Sequence, residues 1–160
     1  MGDALRTRLR REREGRERFR IEGSLSGAVF RGFTEADGTP PWFEAETARF
    51  RRTATPPDHS TAEQCPEAVG AWVEALVEQR GFTDTVLVHV GFDDHAWLRC
   101  DRSRPGWARA VRDALGRWDL ALLSSDGDQL LVVSEEEYAC LAFVSTGTGR
   151  EPRCGRACSD

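Results

Sequence analysis

Apolar residues recur at helical spacing in two segments of the chain, and these segments predict its main helices. Thr61 and Gln64 have the spacing of a capping box at the start of the first segment. Its apolar positions are Cys65, Val69, Trp72, Val73, Leu76 and Val77. The second segment begins at Pro105, and its apolar positions are Trp107, Val111, Leu115 and Trp118. Steps of three and four residues place such side chains on one face, which is typical of a helix packed on a core.

Short apolar runs that flank turn residues predict a β-hairpin after each of these helices. The runs TVLVHV and HAWLRC flank Asp93-Asp94, and the runs LALL and LLVV flank Asp126-Gly127. An Asp-Gly pair between apolar runs is the strongest short signal for a two-residue type I′ turn. With Asp93-Asp94 as the two turn residues, His89 faces Leu98 and shares one face of the sheet with Cys100.

The two ends of the chain carry the other predicted elements. Residues 3–17 read as a charged helix, and the alternation in FRIEG predicts a strand directly after it. The segments 26–33 and 42–52, separated by the turn-rich TEADGTPP, predict a hairpin. Near the other end, Ser134 and Glu137 have the spacing of a capping box and predict a last helix. The core residues of that helix would be Tyr138, Leu141 and Ala142.

Together these elements predict a single α+β domain. Their order is α-β-β-α-β-β-α-β-β-α, with an antiparallel sheet of about six strands from three hairpins and helices packed on it. We assign residues 1–18 to a charged N-terminal helix, 19–145 to the α+β domain and 146–160 to a flexible tail. A chain of 160 residues buries enough surface to fold without a disulfide or a metal.

Charge is distributed unevenly along the chain. Residues 1–20 hold eight Arg against four acidic residues, a net charge of +4, whereas the other 140 residues hold 14 Arg against 23 acidic residues, a net charge of −9. An acidic body repels nucleic acids and anionic membranes and attracts basic proteins. Lys and Asn are absent, which indicates a bacterial genome rich in G and C. The use of Arg as the strong base therefore carries little functional information.

The stretch LRTRLRREREGRERFR raises the question of a nucleic-acid arm. Its Glu residues at positions 12, 14 and 17 each have an Arg three or four positions away. Such pairs stabilise a helix and neutralise part of its charge. We therefore interpret the stretch as a self-paired helix with Leu5 and Leu9 as its apolar stripe. An accessory factor that contacts nucleic acid through this stretch is an alternative hypothesis.

The sequence predicts a cytoplasmic protein. The N-terminus lacks the apolar core of a secretory signal, and the longest apolar run, YACLAFV, is shorter than the ~20 residues that span a bilayer. Five Cys, an odd number, indicate reduced thiols rather than a disulfide framework. Cys154 and Cys158 are spaced C-x3-C, whereas zinc and redox sites usually use C-x2-C.

The segment HVGFDDHAWLRCD concentrates side chains that can perform chemistry. The predicted hairpin places His89 and His95 on opposite faces, so we expect neither a metal site nor another cofactor. It places Cys100 diagonal to His89, roughly 7 Å away, which permits a Cys–His nucleophile pair. If the protein is an enzyme, the candidate catalytic residues are His89, Cys100, Asp93 and His95. The sequence leaves open whether it is one.

Two classes of function fit these patterns best. The first is a non-catalytic interaction module whose acidic surface binds a basic protein, as an adaptor or a toxin-neutralising protein does. Its candidate partner-binding residues are Trp42, Trp97, Asp93 and Asp94. The second is a small-molecule-binding or catalytic domain with a pocket near His89 and Cys100 or near Asp93 and His95. A deep cavity lined by His89 would favour this second class. Assembly as a homodimer is also left open.

Overall fold

The computed structural model describes residues 2–25, 27–35, 38–52 and 55–147, in which four helices and seven strands form one domain. The helices are α1 (Gly2–Ser24), α2 (Phe43–Phe50), α3 (Pro66–Gln79) and α4 (Trp107–Leu115). The strands are β1 (Phe30–Thr34), β2 (His59–Thr61), β3 (Thr85–His89), β4 (Trp97–Asp101), β5 (Leu120–Ser124), β6 (Gln129–Glu135) and β7 (Cys140–Thr146). The predicted α+β class is therefore confirmed.

All seven strands belong to one sheet in the order β1-β4-β3-β5-β6-β7-β2, and every neighbouring pair is antiparallel. The antiparallel sheet is as predicted, with seven strands in place of about six. The strands β1 and β2, which come first in the chain, lie at opposite edges of the sheet. The chain between them, residues 35–58, carries α2 from one edge to the other.

The larger core lies on the front face of the sheet, beneath α1, α3 and α4. Val73 of α3 and Val111 of α4 are fully buried there against strand residues such as Val86 and Leu122. α3 and α4 lie where the two apolar stripes predicted helices, although α4 ends at Leu115 and Trp118 lies beyond it. α3, however, begins at Pro66, because Thr61 belongs to β2, where it pairs with Cys140. Among the described residues, no helix combines the length and apolar character needed to cross a bilayer.

A smaller core lies on the back face, where α2 is the covering helix. Phe43 and Phe50 of α2 pack against the strand residues that point to this face, including Trp97, Leu123 and Phe143. Their neighbours along each strand point to the front core. The segment 42–52 was predicted as a strand, and this prediction is wrong. Phe43, Thr47 and Phe50 are buried at steps of four and three, which is helical period. The Thr47 hydroxyl donates to the Phe43 carbonyl oxygen over 3.0 Å.

The C-terminal helix predicted from Ser134 and Glu137 is also wrong, because that part of the chain forms the β6–β7 hairpin. All seven residues of β7 pair with β6, from Gln129 with Thr146 to Glu135 with Cys140. A tight turn connects the strands, with the Glu136 N–H donating to the Ala139 carbonyl oxygen over 2.9 Å. The strand buries alternate residues on the two cores, which a helix here would not do.

At the N-terminus, α1 continues through FRIEG, where a strand was predicted. Ile21 is 1% exposed and Leu25 is buried four residues later, so the burial follows helical rather than strand period. The helix ends at Ser24, whose hydroxyl donates to the Arg20 carbonyl oxygen over 2.7 Å. The predicted boundary at residue 18 therefore falls inside this helix.

The β5–β6 hairpin has the register predicted from Asp126-Gly127, with Leu123 opposite Leu130. Its turn type differs from the prediction. Gly127 has a φ of +76°, but no described residue other than glycine has a positive φ, so Asp126 does not. A type I′ turn requires positive φ at both central residues. The Gly127 N–H instead donates to the Ser124 carbonyl oxygen over 2.9 Å.

Candidate functional site

A cavity of about 670 Å³ lies on the back face, between α2 and the sheet. Its apolar floor includes Ala121, Val132, Leu141 and Phe143, and its roof includes Phe43, Thr47 and Phe50. The volume lies in the range of about 300–1,000 Å³ that is usual for small-molecule sites. The back face therefore contains space for a ligand.

The cavity exists because α2 rests on the sheet through its two ends. Phe43 contacts Trp97, with ring centroids 4.9 Å apart, and Phe50 stacks on Phe143 at 5.2 Å. Between these two anchors the helix presents Thr47, which is much smaller than phenylalanine. Short side chains in the middle of α2 and large ones at its ends leave space over β5, β6 and β7.

His89, the last residue of β3, lines one end of the cavity. Its ring lies 4.8 Å from that of Phe43 and 5.0 Å from that of Trp97, measured between centroids. Burial lowers the pKa of His89; Glu44 opposes this effect, while Arg51 and Arg117 add to it. The imidazole is therefore neutral at neutral pH. No described residue forms a hydrogen bond with its ring, so its ring nitrogens are available to a ligand.

Three arginines surround the cavity. Arg51 and Arg52 directly follow α2, and Arg117 lies in the connection between α4 and β5. All three are exposed, and none forms an ion pair with another described residue. Guanidinium groups bind carboxylates and phosphates through paired hydrogen bonds. The cavity is therefore bordered by cations with free donors.

Three acidic side chains also line the cavity, and two of them accept hydrogen bonds from the protein. Asp119 accepts from the Glu135 N–H over 3.1 Å, and Glu136 accepts from the Ser134 hydroxyl over 3.4 Å. Glu44, on α2, is the third. The acids thus balance the formal charge of the arginines. The existing hydrogen bonds of Asp119 and Glu136 make these two carboxylates less available than the arginines for a ligand.

The structure separates the predicted pair His89 and Cys100. β3 and β4 pair His89 with Trp97 and Val86 with Cys100, one residue away from the predicted register. The cause is a longer connection, in which the N–H groups of Val90 and Gly91 both donate to the Ala96 carbonyl oxygen, over 2.9 and 3.2 Å. A shift of one residue exchanges the two faces of a strand. The predicted shared face is therefore wrong, and the two side chains lie on opposite sides of the sheet.

Cys100 is buried in the front core and is not poised for nucleophilic chemistry. It is 0% exposed among apolar neighbours that include Val86 and Leu98. Burial raises the pKa of its thiol to about 12. Because the thiolate is the reactive form, this environment opposes catalysis by Cys100.

Asp93, Asp94 and His95 lie in the loop between β3 and β4, outside the cavity. Asp93 forms an ion pair with Arg10 of α1 at 2.5 Å. His95 is half-buried, and its Nδ1 lies 3.1 Å from the Thr34 carbonyl oxygen. Asp94 is exposed. Within the part of the chain that the structure describes, no group of three His, Cys, Asp or Glu side chains could hold a metal ion. Cys154 and Cys158 lie outside the described residues.

The two tryptophans predicted to contact a partner have different environments. Trp97 is 0% exposed, and its indole N–H donates to the Thr39 hydroxyl over 2.9 Å, so it does not lie on the surface. Trp42, just before α2, is half-buried, and its ring lies directly against Gly147. Only part of the Trp42 ring is therefore accessible to a partner.

The charged helix α1 is partly self-paired and partly attached to the body. Glu12 pairs with Arg8 at 3.0 Å, and Glu17 pairs with Arg20 at 2.5 Å. Glu14 instead accepts a hydrogen bond from the Asp93 N–H over 3.2 Å. The predicted pairing of Glu with Arg along the helix thus forms only in part, because Arg10 and Glu14 bind the β3–β4 loop instead.

Sequence reasoning identified His89 but missed the rest of the cavity, because it assigned 42–52 to a strand. The helical spacing of Phe43, Thr47 and Phe50 was the signal that could have placed Arg51 at the end of a helix. Arg117, in a short connection, has no sequence signal of its own. No protein-family model, curated protein or solved structure matches this chain.

Proposed function

We propose that this protein binds a small anionic molecule with an apolar body in the cavity beneath α2. The observation that carries the proposal is a cavity of about 670 Å³ with an apolar floor. Three arginines border this cavity, and none of them forms an ion pair with a described residue. The ligand's apolar part would lie on Val132, Leu141 and Phe143. Its carboxylate, phosphate or sulfonate would lie at the rim, close to Arg51 and Arg117.

The position of His89 supports this arrangement. A neutral imidazole has one donor and one acceptor nitrogen, and neither is used by a described residue. His89 lines the same cavity as Arg51 and Arg117 and can therefore donate one hydrogen bond to the anionic group. We propose binding rather than catalysis, because Cys100, the predicted nucleophile, lies on the other side of the sheet.

A direct test uses two fluorescent probes that differ in one group. 1-Anilinonaphthalene-8-sulfonate has an apolar body and a sulfonate, and N-phenyl-1-naphthylamine has the same rings without the sulfonate. We expect Arg51→Ala and Arg117→Ala each to weaken binding of the sulfonate roughly threefold to tenfold, the effect of one partly exposed charged hydrogen bond. Binding of the neutral probe should change little.

Two further variants separate the cavity from other surfaces. Ala121→Phe places a ring on the cavity floor, so it should weaken binding of both probes. Arg104→Ala removes an exposed arginine remote from the cavity and should affect neither. Circular dichroism on each variant establishes that the fold is intact. Equal sulfonate binding by wild-type, Arg51→Ala and Arg117→Ala proteins would contradict the proposal.

The charge of the body supports a second candidate, an interaction with a basic protein. Residues 21–160 carry a net charge of −9, and exposed Asp94 would contribute to such a surface. Capture of partners from a bacterial lysate at low and at high salt tests this candidate, because electrostatic contacts weaken as salt increases. Basic proteins released selectively by high salt would support it. Retention that is identical at both salt concentrations would contradict it.

We place either activity in the bacterial cytoplasm. Cys65, Cys100 and Cys140 are free thiols in the described structure. Persistent free thiols are typical of a reducing compartment. Fractionation of cells that express the full-length chain, followed by immunoblotting, tests the location; recovery in the culture medium would contradict it.

A further inference from the structure

α1 presents apolar side chains on the face that points away from the body. Ile21 and Leu25 attach the helix to the front core. On the opposite face Leu5 is 59% exposed, Leu9 is 55% exposed and Phe19 is 79% exposed. Tyr138 is the other large hydrophobic side chain that is similarly exposed in the described chain. The outward face of α1 therefore holds three of the four exposed large hydrophobic side chains of the described residues.

The residues on this face follow a heptad pattern. Steps of four and three residues alternate along the helix. The positions are Leu5, Leu9, Glu12, Arg16, Phe19 and Gly23. This is the spacing of the contact positions in a two-stranded coiled coil. We call these six residues the outward stripe.

The outward stripe is complementary to itself in the antiparallel direction. When a second copy is laid against it in reverse, Leu9 lies opposite Phe19 and Glu12 lies opposite Arg16. The two-fold axis repeats both contacts, so the interface would contain two apolar pairs and two ion pairs. Leu5 lies opposite Gly23, which leaves room for its side chain. The steps between successive residues of the outward stripe are therefore the same in either direction along the helix.

Other arrangements of two copies lose this match. A parallel pair places Glu12 against Glu12 and Arg16 against Arg16, and like charges in contact are unfavourable. An antiparallel pair shifted by one heptad places Leu9 opposite Glu12 or Phe19 opposite Arg16. Only the unshifted antiparallel register pairs apolar with apolar residues and acid with base.

We propose that the outward stripe of α1 is a docking surface for a second copy of this chain, with the two helices antiparallel. In the single chain Glu12 has an ion pair with Arg8, but Arg16 has none with any described residue. A partner's Glu12 would therefore give Arg16 its counter-charge. Gly15 lies beside the two-fold axis, and a Cβ there would have no neighbour within 4 Å. Its missing side chain allows the helices to approach closely.

The expected dimer is weak. The contact involves one helix from each copy, so it is smaller than a typical stable interface of about 800 Å² per partner. In addition, Arg13 lies at the flank of the stripe and would approach Arg13 of the second copy. The dimer should therefore dissociate on dilution.

Two variants that reverse the charge at position 12 or at position 16 test the pairing of Glu12 with Arg16. The full-length variants Glu12→Arg and Arg16→Glu each place like charges in both ion-pair positions of a homodimer. In an equimolar mixture, every Arg of the first variant lies opposite a Glu of the second. We expect wild-type protein to dimerise in sedimentation velocity at high concentration. Each single variant should bind itself at least roughly tenfold more weakly, and the mixture should associate again.

Three controls keep the result specific. Circular dichroism should show equal helix content in all proteins. Phe19→Ser should remove dimerisation without altering charge, and Arg104→Glu, which changes a charge on the body, should leave it unchanged. The proposal fails if wild-type protein stays monomeric at every concentration. It also fails if both charge variants self-associate like wild type, or if their mixture stays monomeric.

Discussion

His89 and Trp97 lie directly opposite each other across β3 and β4, with ring centroids 5.0 Å apart and ring planes inclined by 62°. This pairing fixes His89 on the back face of the sheet, where it lines the cavity, and keeps Trp97 in the interior. The titration of one imidazole is therefore coupled to the packing of the smaller core.

This coupling predicts a pH dependence of stability. Burial lowers the pKa of His89 below its ordinary value of 6.5. The unfolded chain thus takes up a proton at a higher pH than the folded chain does. The stability contributed by neutral His89 is complete above about pH 6.5 and is lost as the pH falls toward the folded pKa. We expect His89→Leu to lose less stability than wild type between about pH 7 and pH 5 in urea denaturation. Parallel losses in the two proteins would contradict this assignment.

The thiols should differ sharply in reactivity. Cys65 is exposed just before α3, whereas Cys100 is fully buried with its pKa raised to about 12. In a variant with Cys154 and Cys158 replaced by Ser, an aromatic disulfide reagent should label Cys65 rapidly and Cys100 only after denaturation. Mass spectrometry of the labelled peptides identifies the site. Rapid native labelling of Cys100 would restore it as a candidate nucleophile.

Gly147 should not accept a larger side chain. A Cβ at this position would overlap the ring of Trp42, and the Gly147 N–H donates to the Asp128 carbonyl oxygen over 2.8 Å. We expect Gly147→Ala to destabilise the fold by about 1–3 kcal/mol, the usual cost of overpacking. Gly27→Ala, at a glycine with open space, is the control.

A double-mutant cycle locates the cause. In a Trp42→Ala background the overlap is gone, so Gly147→Ala should have little effect on the free energy of unfolding. An equal loss in both backgrounds would mean that the backbone at Gly147, rather than Trp42, sets the cost.

The turn at Gly127 provides a test of backbone conformation. Gly127 has a φ of +76°, a region that β-branched residues avoid. We expect Gly127→Val to reduce the free energy of unfolding by at least about 1 kcal/mol. Gly127→Asn should cost clearly less, because Asn tolerates left-handed backbone. Equal effects of the two substitutions in thermal unfolding would show that the φ of Gly127 is not the constraint.

The N-terminal helix should not bind nucleic acid strongly. Part of its charge is already paired, through Arg8 with Glu12, Arg20 with Glu17 and Arg10 with Asp93. In fluorescence anisotropy at physiological salt, we expect no binding to mixed-sequence DNA or RNA tighter than ~10 μM. Sub-micromolar binding that weakens steeply with salt and disappears on removal of residues 1–17 would instead support a nucleic-acid function.

Elements with a clear period were predictable, and elements with two competing periods were not. The stripe of α3 and the paired apolar runs of β5 and β6 have one interpretation each, and the structure agrees. In the eight residues of α2, however, Ala48 and Phe50 share strand parity while Phe43, Thr47 and Phe50 have helical spacing. Short segments do not separate the two periods, and the packing of α2 on the back face decides the outcome.

The site was harder to predict because it depends on details that the pattern does not encode. The register of β3 and β4 rests on the double hydrogen bond from Val90 and Gly91 to one carbonyl group. That single extra residue moves His89 to the face opposite Cys100. The cavity in turn depends on how far α2 stands from the sheet, which follows from the side chains at its two ends.

The placement of β1 and β2 at opposite edges connects α2, the cavity roof, to both edges of the sheet. Six interstrand spacings of about 4.8 Å separate the edges, roughly 29 Å in all. Residues 35–58 must cross this width, and eight of them are shortened into α2. The segment that contains α2 is therefore held at both ends, by the pairing of β1 with β4 and of β2 with β7. Because β1 and β2 are both hydrogen-bonded into the sheet, the position of α2 over the cavity depends on the pairing of both edge strands as well as on the contacts of Phe43 and Phe50.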